Sequence, residues 1–197
     1  MLQPNPWVSM WTRPRETIRS IVDSNPRCGF GLLSFIYGLL LVLYVVPNVF
    51  LITPLFFIGA LLATPFLGAA AFLLLSSFLF VIGKWLGGRS SFLAIRASVT
   101  WSHIPCAILL LFLIAFLCIF RKMVFCVDCA DIIITRVDLI ILIIFSLIQS
   151  ILGFWAVVLL VLSIAEVQGF SLIRALCNFL ILVAGVFILF ELALLIN

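Results

Sequence analysis

An all-α integral membrane protein, a bundle of about five transmembrane helices with short amphipathic lead-in helices, is the fold class this chain predicts. Three observations predict it. Only 9% of its 197 residues are charged and 66% are hydrophobic, where a soluble domain carries roughly 25% charged residues. A small soluble body has too much surface for its volume to hide that apolar excess, so lipid must receive it. Residues 28–83, 103–120, 139–165 and 175–190 carry no fixed charge, and about 20 apolar residues suffice for one crossing. The runs are continuous rather than alternating, which favours helices over barrel strands.

In chain order, residues 1–28 read as a cytoplasmic amphipathic segment and residues 29–197 as a five-span domain. The segment 1–27 holds four prolines, two tryptophans and four arginines without an apolar core, so it is no secretory signal, and the first span is expected to act as an uncleaved anchor. Trp7, Trp11, Pro14, Ile18 and Ile21 recur four, three, four and three residues apart, which is one face of a helix. Thr12 suits its cap, Pro14 its first turn and Glu16 its positive dipole end. The expectation is a helix lying in the membrane plane, either anchoring the first span or docking a partner or curved lipid.

Spans are expected at 29–46, 55–83, 104–120, 139–164 and 172–196. Pro47-Asn48 marks a turn, and Pro65 should kink the second span by removing a backbone donor. The alternative for 49–63 is a re-entrant segment. With five spans, Arg13, Arg15, Arg19, Arg27, Lys84, Arg89, Arg96 and Arg174 share one side, against Arg121, Lys122 and Arg136 on the other. Lys and Arg are retained inside, so the N-terminus is expected in the cytoplasm and the C-terminus outside.

Ile18-Arg19-Ser20, Ile95-Arg96-Ala97 and Ile173-Arg174-Ala175 place arginines 77 and 78 residues apart. Either common residues coincide, or a helical hairpin repeats, each arginine reaching the cytoplasmic phosphates. Trp7, Trp11, Arg19, Trp85, Arg96, Trp101 and Arg174 are therefore the candidate membrane-interface or partner-docking residues.

The chain also resembles a known family. Asn5-Pro6-Trp7 and the stretch from Trp11 to Arg19 are similar to the opening of bacterial members of the Yip family, whose founders are Ypt/Rab-interacting membrane proteins. Lys84-Trp85-Leu86-Gly87-Gly88-Arg89-Ser90-Ser91-Phe92, with Trp101-Ser102 and Pro105, resembles its central motif, and Ala165-Glu166-Val167-Gln168-Gly169-Phe170-Ser171 its late motif. The resemblance implies five helices, a cytoplasmic N-terminus and an exterior C-terminus. Eukaryotic relatives bind Rab GTPases and one another in vesicle traffic. This chain lacks their Asp-Leu-Tyr-Gly-Pro stretch and has only a short N-terminal segment, so GTPase binding is not carried over to it.

Candidate chemistry is sparse. Cys126-x-x-Cys129 falls in an exterior loop, where a disulfide, free thiols, or redox or metal chemistry stay open. His103 belongs to the opposite face, roughly 25 Å away, too far to share a metal. Ser102-His103 has no acid nearby in sequence, and the turn at Gly87-Gly88 lacks the ending of a phosphate loop. Ser91 suits the cap of a short helix over 92–99. Glu166 and Gln168 form a polar cluster with Gln149 as a further intramembrane polar group, and Glu166 is expected to pair with Arg174 or Lys84. No cofactor, metal site or catalytic set is expected, and no basic block is long enough for nucleic acid. The reading is a non-enzymatic protein of a bacterial inner membrane that organises the bilayer or binds membrane proteins, itself included. The alternative is a small-solute or ion transporter or channel, suggested by the repeat, Pro65 and the polar groups.

Overall fold

The structure, a computed structural model, describes residues 5–45, 54–120 and 135–196. Among the described residues all regular structure is helical: α1 Pro6–Thr12, α2 Pro14–Ser24, α3 Phe30–Val45, α4 Pro54–Trp85, α5 Phe92–Ser102, α6 Ile104–Ile119, α7 Arg136–Gln168 and α8 Leu172–Ile196. Four stretches are long and apolar enough to cross a membrane: Ile58–Trp85, Phe92–Ile119, Arg136–Gln168 and Leu172–Leu195. α3 is a shorter apolar helix of 16 residues. The helices expose large apolar side chains such as Leu62, Phe66, Leu111 and Phe154. Water would penalise such surfaces, whereas hydrocarbon is their natural solvent, and helices satisfy their own backbone there. The protein is an all-α integral membrane protein.

The chain divides into two compact units, with α4 and α7 contributing to both. In the second unit, Phe30–Ala70 with His103–Val157, Leu40 of α3 packs with Leu109, Leu110 and Leu113 of α6, and Phe116 stacks on Phe145 with ring centroids 4.4 Å apart. α3 and α4 touch backbone to backbone. A methyl group added to Gly38 would overlap the Thr64 carbonyl, and one added to Gly68 the Ser34 carbonyl. Ser34 and Gly38 are spaced four apart, as are Thr64 and Gly68, so each helix offers a small-residue stripe of the kind that lets membrane helices approach closely.

Pro65 stands inside an unbroken α4, so residues 54–63 are helical and continuous with the second span, not re-entrant. The carbonyl that its missing N–H would have bonded is that of Leu61. The Thr64 hydroxyl donates to that same carbonyl at 2.8 Å, and Thr64 is fully buried. Hydroxyls next to prolines restore lost backbone bonds in this way in membrane helices.

The first unit comprises Met1–Gly29, Ala71–Ser102 and Val158–Asn197. Here the structure corrects the expected single lead-in helix. Asn5 caps α1, its Oδ1 accepting from the Trp7 N–H at 3.1 Å, and the helix ends at Thr12 rather than beginning there. Arg13, at φ −137 and ψ 62, leaves the helical region, because a residue before proline is sterically driven from it. Pro14 then starts α2, which packs on α1 and on α5. Ile18 and Ile21 are buried against protein, with Met10 and Thr17, so much of the apolar face predicted for lipid is spent inside the fold.

Candidate functional site

The polar features of the first unit gather where α4 and α7 end and α5 and α8 begin. α4 and α7 stop by the same device. Gly87, at φ +86, and Gly169, at φ +66, adopt the left-handed conformation. The Gly88 N–H then reaches back to the Gly83 carbonyl at 2.8 Å, and the Phe170 N–H to the Ala165 carbonyl at 2.9 Å, the Schellman arrangement that ends helices. The next helices start on serines. The Ala94 N–H donates to Ser91 Oγ at 3.3 Å and the Arg174 N–H to Ser171 Oγ at 3.4 Å, so Ser91 does cap α5, which runs on to Ser102.

Those caps expose a mismatch in the supposed repeat. Arg96 lies five residues after its capping serine and Arg174 three, and two residues turn a helix by about 200°. Accordingly Ile18 and Ile95 are buried while Ile173 is 75% exposed, and the third tripeptide is simply the first turn of α8. The three arginines therefore occupy unlike places. Arg19 forms an ion pair with Glu166, Arg96 is half-buried on α5, and Arg174 is exposed.

Glu166 thus pairs with Arg19, not with Arg174 or Lys84; the Lys84 ammonium lies over the Phe80 ring, 5.2 Å from its centroid. The Glu166 side chain is 16% exposed and that of Arg19 70%, so the pair ties a nearly buried carboxylate to a surface helix. A second tie is Trp101. Its Nε1–H donates to the Cys28 carbonyl at 3.0 Å, its ring meets Trp7 edge-on at 5.8 Å, and a Cβ on Gly29 would lie 2.6 Å from it. Gly29 also needs its positive φ of 76°. Trp101 is 2% exposed, so its indole is used up inside the protein rather than offered to lipid or a partner. Trp7 and Trp11 are half-buried, and Trp85 is exposed.

Among the described residues, Gln168 is the least satisfied polar side chain. It is 4% exposed, its amide is wedged where a methyl on Gly83 or Gly88 would collide with it, and neither its Nε2 nor its Oε1 has a hydrogen-bond partner. Leaving such a group unpaired costs about 1–3 kcal/mol. Asn178, fully buried on α8, donates through Nδ2 to the Leu79 carbonyl of α4 at 3.2 Å, a hydrogen bond between the two helices. Gln149 is half-buried in the second unit, and Glu166 and Gln168 belong to the first. His103, between α5 and α6, meets Tyr37 edge-on at 5.1 Å. Cys126 and Cys129 lie outside the described residues.

Two open recesses border this cluster. One, of about 440 Å³, is lined by Arg15, Glu16, Arg19, Ser20, Asp23 and Glu166. The other, of about 480 Å³, lies among Gly87, Arg89, Gln168, Gly169 and Arg174, with Glu166 again in its wall.

Compared with known proteins, residues 8–194 match the family model described as the Yip1 domain. No curated protein and no solved structure matches the chain.

Proposed function

The chain belongs to the Yip family, and from that premise we propose that it acts without catalysis, organising the membrane by binding other membrane proteins or a second copy of itself. The observation that carries this reading is the clasped α1–α2 surface. The Arg19–Glu166 pair and Trp101 hold it in place, while Arg13, Arg15, Glu16 and Asp23 point charge outward. A surface fixed in advance loses less entropy on binding than a loose segment. The Lys and Arg distribution supports a cytoplasmic α1–α2 and an exterior C-terminus, and the resemblance of the chain's motifs to bacterial members of the family supports a bacterial inner membrane. On this reading Trp7, Trp11 and Arg19 serve the docking surface, and Trp85, Arg96 and Arg174 the bilayer interface.

A photo-crosslinking residue in place of Val8, which is 66% exposed, tests it in native membranes. A discrete adduct to one membrane protein, or to a second copy, that fades when Arg19→Glu opens the clasp is the expected result. A smear of abundant neighbours, unchanged by Arg19→Glu, would remove the reading.

A further inference from the structure

We propose that the recess between the Gly87–Arg89 turn and the α7–α8 junction binds the phosphate of an anionic membrane lipid. The recess has a volume of about 480 Å³ and two arginines, Arg89 and Arg174, in its wall. Its one carboxylate, Glu166, is engaged by Arg19, so the recess is left positive. Guanidinium groups bind phosphate oxygens through paired, charge-assisted hydrogen bonds.

Gln168 supplies the second, independent observation. It lines the recess, is 4% exposed, and has both amide atoms unpartnered. Both amide atoms are enclosed beside Gly83 and Gly88; turned toward the recess, Nε2 would donate to a phosphate oxygen and Oε1 would accept from a headgroup hydroxyl.

The same phosphate could arrive free in solution, but the position favours lipid. α4 and α7 end here after long apolar runs and α8 begins another, which is the depth of headgroups. Trp85, 78% exposed on the last turn of α4, is the residue type that settles at that depth.

The test uses the full chain purified in a neutral detergent and followed by native mass spectrometry and thermal unfolding. The probes are phosphatidylglycerol, phosphatidylcholine and inorganic phosphate. Retained phosphatidylglycerol, bound at least tenfold more tightly than phosphatidylcholine and raising the unfolding temperature, is expected. Arg89→Gln with Arg174→Gln should lower that affinity at least tenfold; both side chains are exposed, so folding should be kept. Gln168→Leu should lower it too while stabilising the lipid-free protein, because an unpaired amide is removed. Unchanged lipid binding in the double arginine variant overturns the site. Inorganic phosphate matching the lipid in affinity overturns the assignment to lipid. The proposal goes beyond the partner-docking reading, and the double variant should leave the Val8 adduct intact, so the two can fail separately.

Discussion

Trp101 has two attachments that substitution can take apart. Trp101→Phe keeps most of the ring and loses only the donation to the Cys28 carbonyl, a net loss of about 1 kcal/mol. Trp101→Ala also empties the space against Gly29 and Trp7 and should cost about 3–5 kcal/mol. Reversible unfolding of the two variants in detergent should separate them by a clear margin, and equal losses would mean that the ring does not pack as described. The Arg19–Glu166 pair has a mostly exposed partner, so its coupling should be modest, about 0.5–1 kcal/mol. A double-mutant cycle with Arg19→Gln and Glu166→Gln measures it, and zero coupling would show that the clasp rests on Trp101 alone. Neither contact was legible in the sequence. Arg19 and Glu166 are far apart along the chain, and nearer charges such as Arg174 seemed better partners for Glu166. What local spacing does encode, such as Ser91 ahead of α5, was readable because a cap acts only on the next turn.

At the scale of elements, the long apolar runs were readable because solvation by hydrocarbon leaves little choice of structure. The break between α1 and α2 is hidden by periodicity. The apolar face from Trp7 to Ile21 has the period of one helix, but Pro14 acts sterically on Arg13 and outranks periodicity. Pro65 shows the converse: the chain continues through it because Thr64 takes over the Leu61 carbonyl. Thr64→Val should therefore cost about 1 kcal/mol and should cost much less once Pro65→Ala restores the backbone donor. Additive losses in that cycle would contradict the substitution of hydroxyl for amide. The α3–α4 crossing has no such tolerance. Gly38→Leu and Gly68→Leu force side-chain atoms into opposing carbonyls, and unlike a clash with a side chain this one cannot be relieved by rotation. Each should lower the unfolding temperature sharply, whereas Gly31→Leu, where an added Cβ meets nothing within 4 Å, should not.

For the whole molecule, the number of crossings turns on α3. Its 16 residues span about 24 Å, against a hydrocarbon core of about 30 Å. A shortfall of that size costs only fractions of a kcal/mol per Å, met by local thinning of the bilayer, so a crossing remains affordable. The charges also favour it. With α3 across, Arg13, Arg15, Arg19, Arg27, Lys84, Arg89, Arg96 and Arg174 share a side, eight against three; without it, the lysine and arginines from 84 to 96 part company with the N-terminal four, and the bias falls to seven against four. Single cysteines in a cysteine-free background decide between the two. Val8→Cys and Arg89→Cys, both exposed, should resist an impermeant maleimide in intact cells and react after permeabilisation, and Leu195→Cys, 82% exposed near the end of α8, should react in intact cells. If Val8→Cys and Arg89→Cys label from opposite sides, α3 does not cross, the count is even, and α1–α2 cannot share a compartment with the recess that holds Arg89 and Arg174. The Arg19–Glu166 pair argues against that outcome, because Glu166 lies in the wall of the same recess and its partner must reach it without traversing hydrocarbon.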